Sequence, residues 1–155
     1  MNKPILRKAI IHDIEGIYNL LLEFGKAGKL LPRSLSELYS HLRDFFVIAT
    51  SKGKTVGCGA LSIIWKDLAE IRSVAIHPDY QKQGWGKRIV EACLSESLTL
   101  GIYRVFVLTY EKEFFKKLGF EVTDRSHLPE KIWVDCFRCP KYPDNCDEIP
   151  MIIEL

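Results

Sequence analysis

Two charged residues occupy positions in a β-rich run where apolar side chains dominate. In Leu68–Ile76, strict alternation puts Leu68, Glu70, Arg72, Val74 and Ile76 on one face and Ala69, Ile71, Ser73 and Ala75 on the other. A carboxylate and a guanidinium that share a face with core residues need each other or a ligand. A structural ion pair at the wet end of the strand satisfies that need, and so does a binding site. His77-Pro78-Asp79-Tyr80 then stops the strand, and Gln81-Lys82-Gln83-Gly84-Trp85-Gly86-Lys87-Arg88 leads into a long helical pattern. A helix start exposes unpaired N–H groups at the positive end of the dipole. Gly84 and Gly86 let backbone approach a ligand, and Lys82, Lys87 and Arg88 add positive charge, as in a cradle for phosphate. A plain turn-to-helix junction is the other reading. The nucleoside triphosphate loop is excluded, since it needs Gly at Gln81 and a hydroxyl at Arg88. The dinucleotide fingerprint also fails, lacking its third glycine and its acidic residue.

The elements that must position these residues follow from periodicity. Ile14, Ile17, Tyr18, Leu21 and Leu22 form one stripe of a helix over 13–24 behind a capping Asp13. Ser34 and Glu37 have capping-box spacing ahead of Leu35, Leu38, Tyr39 and Leu42, so a second helix runs to about Asp44. Phe45–Ser51, Thr55–Trp65 and Leu68–Ile76 read as an antiparallel meander. Gly84 to Leu100 is a long helix with Ile89, Val90, Cys93, Leu94 and Ser97 inward and Gly101 as its stop. Tyr103–Thr109 is a buried strand and Glu111–Leu118 a short helix, while Phe120–Val122, Ile132–Phe137 and Ile149–Leu155 supply further strands. A meander followed by strand–helix–strand predicts an α/β or α+β sandwich with a mixed, mostly antiparallel sheet flanked by helices.

Two marks at this separation resemble those of the GNAT superfamily of N-acetyltransferases. Gln81-x-x-Gly84-x-Gly86 after a strand looks like its acetyl-CoA pyrophosphate loop, and Phe114-Phe115-Lys116-Lys117-Leu118-Gly119-Phe120 resembles its C-terminal helix signature. From about Arg33 to Trp133 the chain is similar to the acetyltransferase domain of the bacterial N-acetylglutamate synthases, amino-acid N-acetyltransferases that open arginine biosynthesis. The matching residues are Leu31-Pro32-Arg33-Ser34, Ala69-Glu70-Ile71, Val74 to Tyr80, Val105 to Thr109 and Leu128-Pro129. The kinase-like domain of the two-domain synthases is absent, so the likeness is to the short, single-domain type.

That resemblance implies acetyl-CoA as cosubstrate and a strand, Leu68–Ile76, splayed from its neighbour. Main-chain groups of Val74, Ala75 and Ile76 would meet the pantetheine arm and acetyl carbonyl, and Gln81, Lys82, Gln83, Gly84, Trp85, Gly86, Lys87 and Arg88 the pyrophosphate. Glu70 matches the carboxylate that takes the amine proton, through water, and main-chain N–H near Val74 would hold the oxyanion. Many members place a tyrosine four residues before the glycine aligned with Gly119, but here that position is Phe115. Phe115 would then line the cofactor channel, and Tyr110 is the substitute acid; packing is its alternative role. Arg33 falls where the synthases bring an arginine onto the substrate carboxylate, a grip that suits a planar guanidinium. Arg72 either grips a carboxylate or neutralises Glu70, and Lys131 is a further substrate candidate. L-glutamate is the first acceptor implied. Another amine, or a non-catalytic acyl-CoA-binding module, is the alternative.

Composition sets the limits. The chain has 155 residues with 22 Lys+Arg against 20 Asp+Glu, a net charge of +2 that offers no electrostatic case for nucleic acid. At 47% hydrophobic and 27% charged it reads as one globular domain over 1–155, with a cysteine-containing segment, 135–155, packed on it. No apolar run approaches the roughly 18 residues of a membrane span. Charge interrupts Met1–Lys8 before a signal core can form, so a soluble, cytoplasmic protein is expected. The five cysteines fit reduced thiols, with Cys58 and Cys93 in the core. Cys136-x2-Cys139-x6-Cys146 allows a zinc site if His127 or Asp147 completes it, a thiol switch, or reduced cysteines in a packed tail. The missing second C-x2-C favours no metal. A homodimer stays open.

Overall fold

The structure, a computed structural model, describes residues 3–26, 33–128 and 148–155. Its strands are β1 (Ile5–Lys8), β2 (Phe45–Ala49), β3 (Thr55–Trp65), β4 (Leu68–Ile76), β5 (Arg104–Thr109), β6 (Glu121–Val122) and β7 (Ile149–Glu154). They form one sheet in the order β1-β2-β3-β4-β5-β7-β6, antiparallel except where β4 meets β5. The helices are α1 (Ile14–Lys26), α2 (Leu35–Ser40), α3 (Trp85–Thr99) and α4 (Lys112–Lys117). The expected mixed, mostly antiparallel sheet flanked by helices is what forms.

One face buries the α1 stripe of Ile14, Ile17 and Leu21 against Val47, Cys58 and Ala75. The opposite face takes α3 through Ile89, Val90 and Cys93, and α4 through Phe115. Leu68, Phe106 and Leu128 make a smaller third cluster. Cys58 and Cys93 are core as expected, and burial pushes both thiols up to about 12, which leaves them unreactive. Ser97 points inward too, donating to the Ile102 carbonyl at 2.7 Å. Close approach of α3 to the sheet depends on Gly59, where a Cβ would stand 2.4 Å from Ile89 Cγ2.

Four local expectations are corrected. No element was expected before residue 13, yet β1 pairs with β2 at the sheet edge. Its Arg7 donates to Asp13, six residues on, at 2.7 and 3.0 Å. Asp13 therefore does not cap α1. It lies in a 3-10 turn over Ile11–Asp13 and accepts the Ile10 N–H at 2.7 Å. Burial pushes this carboxyl up, but the bonds from Arg7 and Ile10 outweigh it and hold it below its ordinary value. The capping box of Ser34 and Glu37 forms, but α2 ends at Ser40. His41 leaves helical geometry at φ −110°, and a 3-10 turn over Leu42–Asp44 follows.

The fourth correction concerns β4, whose alternation is not strict. Arg72 pairs with Ala60 and Ala75 with Cys58, so Ser73 and Val74 stand opposite Gly59 alone. This is a β-bulge, and Ser73 adopts φ +58°. Beyond it the faces exchange: Ala75 joins the α1 side, while Val74 and Ile76 pack on the α3 side.

Candidate active site

The bulge lies where β4 leaves its parallel neighbour. Pairing of β4 with β5 covers Ala69↔Val105 and Glu70↔Phe106 and stops there, although both strands continue. The main chain from Ile71 to Ile76 thus lines one side of an opening wedge, with β5 and Tyr110 beyond its end on the other. An unpaired strand edge in a sheet interior is a row of donors and acceptors for an extended ligand.

At the closed end of the wedge stands Glu70, 8% exposed and opposite Ser62 of β3. Arg72 Nη1 is 3.7 Å from its Oε1. Arg72 also lines an open cleft together with Arg33, Glu37, His41, Asp44 and Ser73, over a floor that includes Ala60 and Phe45. Arg33, its side chain only 11% exposed, lies 3.7 Å from Glu37 one turn along. Two arginines that stand 39 residues apart in the chain, at 33 and 72, therefore meet at one cleft beside the Glu70 carboxylate. Asp44 Oδ2 is 3.5 Å from His41 Nδ1 on the same wall.

At the open end, β4 runs into the loop before α3. The Gln81 side-chain amide donates to the Ile76 carbonyl at 2.9 Å and ties the loop to the strand end. Lys82 adopts φ +62°, and Gly84, the residue capping α3, φ +87° with no side-chain cap on the helix. The first intrahelical bond runs from Arg88 N–H to the Gly84 carbonyl, so the N–H groups of Trp85, Gly86 and Lys87 point off the helix end. Trp85 is buried and carries the Arg88 guanidinium 4.6 Å over its ring. Gln83, Lys87 and Arg88 are exposed. Free N–H groups and exposed basic side chains thus meet at the start of α3.

The α4 signature splits between two roles. Phe115 is 4% exposed and meets Phe114 and Phe120 edge-on at 5.0 and 5.2 Å, so it serves the core. Phe114 is the ring that faces the loop, at 3.3 Å from where a Gly86 Cβ would be. Tyr110 sits half-buried in the bend after β5, where Glu111 N–H donates to Thr109 Oγ1 at 2.8 Å. Lys131, Trp133, Cys136, Cys139 and Cys146 lie outside the described residues. Among the described residues no group of His, Cys, Asp or Glu could hold a metal ion, and no helix is long and apolar enough to cross a membrane.

Sequence reasoning missed Asp44, His41 and Glu37 as cleft residues. The capping-box spacing signalled Glu37 as a helix residue only, and His41 and Asp44 reach the cleft because α2 stops early.

A family model for the acetyltransferase (GNAT) family matches residues 14–120. The chain belongs to that family. It is 39% identical to an uncharacterised N-acetyltransferase of Chlorobaculum tepidum over 97% of this chain and 96% of the relative. It is 42% identical to an amino-acid acetyltransferase of Mycobacterium tuberculosis over 88% of this chain and 79% of that one. Among solved structures, a Mycobacterium tuberculosis protein in complex with CoA and NLQ superposes at a TM-score of 0.84 with 32% identity, covering 98% and 99% of the two chains. N-acetylglutamate synthase of Neisseria gonorrhoeae, complexed with coenzyme A and N-acetyl-glutamate, superposes at 0.87 with 27% identity. The match covers 98% of this GNAT chain and 35% of the synthase, so the chain spans about a third of that enzyme.

Proposed function

We propose that this GNAT protein is an acetyl-CoA-dependent N-acetyltransferase acting on the α-amino group of a small amino acid, with L-glutamate the first acceptor and arginine biosynthesis the setting. The observation that carries the reading is the meeting of Arg33 and Arg72 at one cleft beside Glu70. Guanidinium groups suit carboxylates, and two of them on one open cleft suit a small acidic acceptor. The relatives named as amino-acid acetyltransferases, and the synthase solved with N-acetyl-glutamate, support the same class.

In this reading the pyrophosphate of acetyl-CoA meets the uncapped N-terminus of α3, with the charges of Lys82, Lys87 and Arg88 around it. The pantetheine arm extends along the unpaired edge of β4, alongside Val74, Ala75 and Ile76. Arg33 and Arg72 hold the acceptor carboxylates; Lys131 is the further candidate. Glu70 takes a proton from the α-ammonium through water, and the free amine attacks the thioester carbonyl. A main-chain N–H near Val74 holds the oxyanion while the C–N bond forms. The C–S bond then breaks, and the thiolate leaves with a proton from Tyr110 or from water.

The test is free-thiol release from acetyl-CoA by the purified protein, offered the twenty amino acids and several polyamines. Turnover with glutamate or a close relative is the expected result. Turnover with polyamines alone overturns the acceptor reading, and acetyl-CoA binding without turnover on any acceptor shifts the assignment to a non-catalytic acyl-CoA-binding module.

A further inference from the structure

One carboxylate on the cleft wall has no part in the reaction as outlined. Asp44 ends the 3-10 turn after α2 with its side chain 27% exposed, and lines the cleft with Arg72 and Ser73. A carboxylate withdrawn from water needs positive charge around it. Arg72 from β4 and Lys8 from β1 provide it, and the His41 ring stands 3.5 Å away, just before the same turn. Glu37 and Arg33 complete the charged lining of the cleft. Burial still holds the Asp44 carboxyl above its ordinary range. Arg72 thus stands 3.7 Å from Glu70 on its own strand and shares the cleft lining with Asp44 on the turn after α2.

We propose that Asp44 is a positioning residue for the acceptor, acting through Arg72: with Glu70 it holds the guanidinium at the cleft so that Arg72 presents its donors to the acceptor carboxylate. This rests on the amino-acid reading of the cleft. A long, flexible side chain that carries a planar fork binds a carboxylate well only when its orientation is set beforehand. Glu70 alone constrains Arg72 along β4. Asp44 adds a second negative charge at the same cleft, from the turn after α2.

Asp44→Asn keeps the shape and removes the charge. With the acceptor that the amino-acid panel identifies, KM for the amino acid should rise about tenfold, and KM for acetyl-CoA should stay within about twofold of the wild type. A purely structural role would move both constants together. Asp44→Glu restores the charge one methylene further out and should recover part of the acceptor affinity. A wild-type protein that turns over no amino acid overturns the acceptor reading, and this inference falls with it. Wild-type turnover with an unchanged acceptor KM in Asp44→Asn, or equal rises in both constants, overturns the inference alone. If Asp44→Asn does not fold, Asp44→Glu carries the test: its acceptor KM should rise while that for acetyl-CoA holds, and an unchanged value overturns the inference.

Discussion

The loop before α3 presents backbone, whereas the cleft beside Glu70 presents side chains. Lys82 and Gly84 hold positive φ values, the helix end has no side-chain cap, and the whole device occupies Gln81–Arg88. The cleft instead gathers Arg33, Asp44 and Arg72 from three separate stretches of chain, and each cation in it has an anion nearby. A site made of backbone depends on a few dihedral angles and tolerates changes of exposed side chain. A site made of charged side chains depends on every partner that orients them. The two should therefore fail differently, with cosubstrate binding sensitive to conformation and acceptor binding sensitive to charge.

The sharpest break of that contrast is at Glu70, whose proton transfer is distinct from cosubstrate binding. Glu70→Gln is expected to lower kcat by about 100-fold or more, the range for loss of a general base, while acetyl-CoA affinity stays near the wild-type value. Normal turnover across pH would remove Glu70 as the base. Next is Arg33→Ala, for which the acceptor KM should rise about tenfold from the lost charge-assisted contact. The acetyl-CoA KM should hold, and an equal effect on both constants would take Arg33 out of the acceptor site. Smaller again is Gly84→Ala, which forces a Cβ into φ +87° at a cost of about 1–2 kcal/mol. Nothing lies within 4 Å of that Cβ, so the penalty is conformational and should appear as weaker acetyl-CoA binding with an unchanged acceptor KM.

The same contrast explains what the sequence could and could not tell. The loop was legible because its glycines, its charges and the helix it opens are neighbours in the chain. Glu70 and Arg72 were legible as a pair because two residues on a strand share a face. Arg33 was singled out only through resemblance to the synthases, and nothing local linked it to Arg72. Asp44 and His41 were missed because the apolar period through Leu42 continues past the point where α2 ends. β1 escaped notice for a related reason: its pairing with β2 is long-range, and alternation in four residues is too short to detect. Phe115 was expected at the cofactor because of its place in a motif, but on a helix of six residues its neighbour Phe114 faces the loop instead.

Ser73 is where the two regions meet, and it calls for the smallest and most discriminating change. Its positive φ exchanges the faces of β4, so that Arg72 looks into the cleft while Val74 packs on the α3 side. Its carbonyl accepts the Cys58 thiol at 3.3 Å, and the residue itself lines the cleft. If backbone conformation is what matters at this position, Ser73→Gly should be close to neutral. Glycine adopts φ +58° without the steric cost that serine bears, and that gain offsets the larger entropy glycine loses on folding. Ser73→Val should instead lower stability by about 1–2 kcal/mol, because a β-branched side chain resists this region. Thermal unfolding reads the stability difference between the two variants, and the two KM values locate any functional one. A Ser73→Gly protein as stable as the wild type but with a raised acceptor KM would assign the hydroxyl to the acceptor cleft. Loss of acetyl-CoA affinity in Ser73→Val, with the acceptor KM unchanged, would show that the bulge serves the splayed edge of β4 more than the orientation of Arg72.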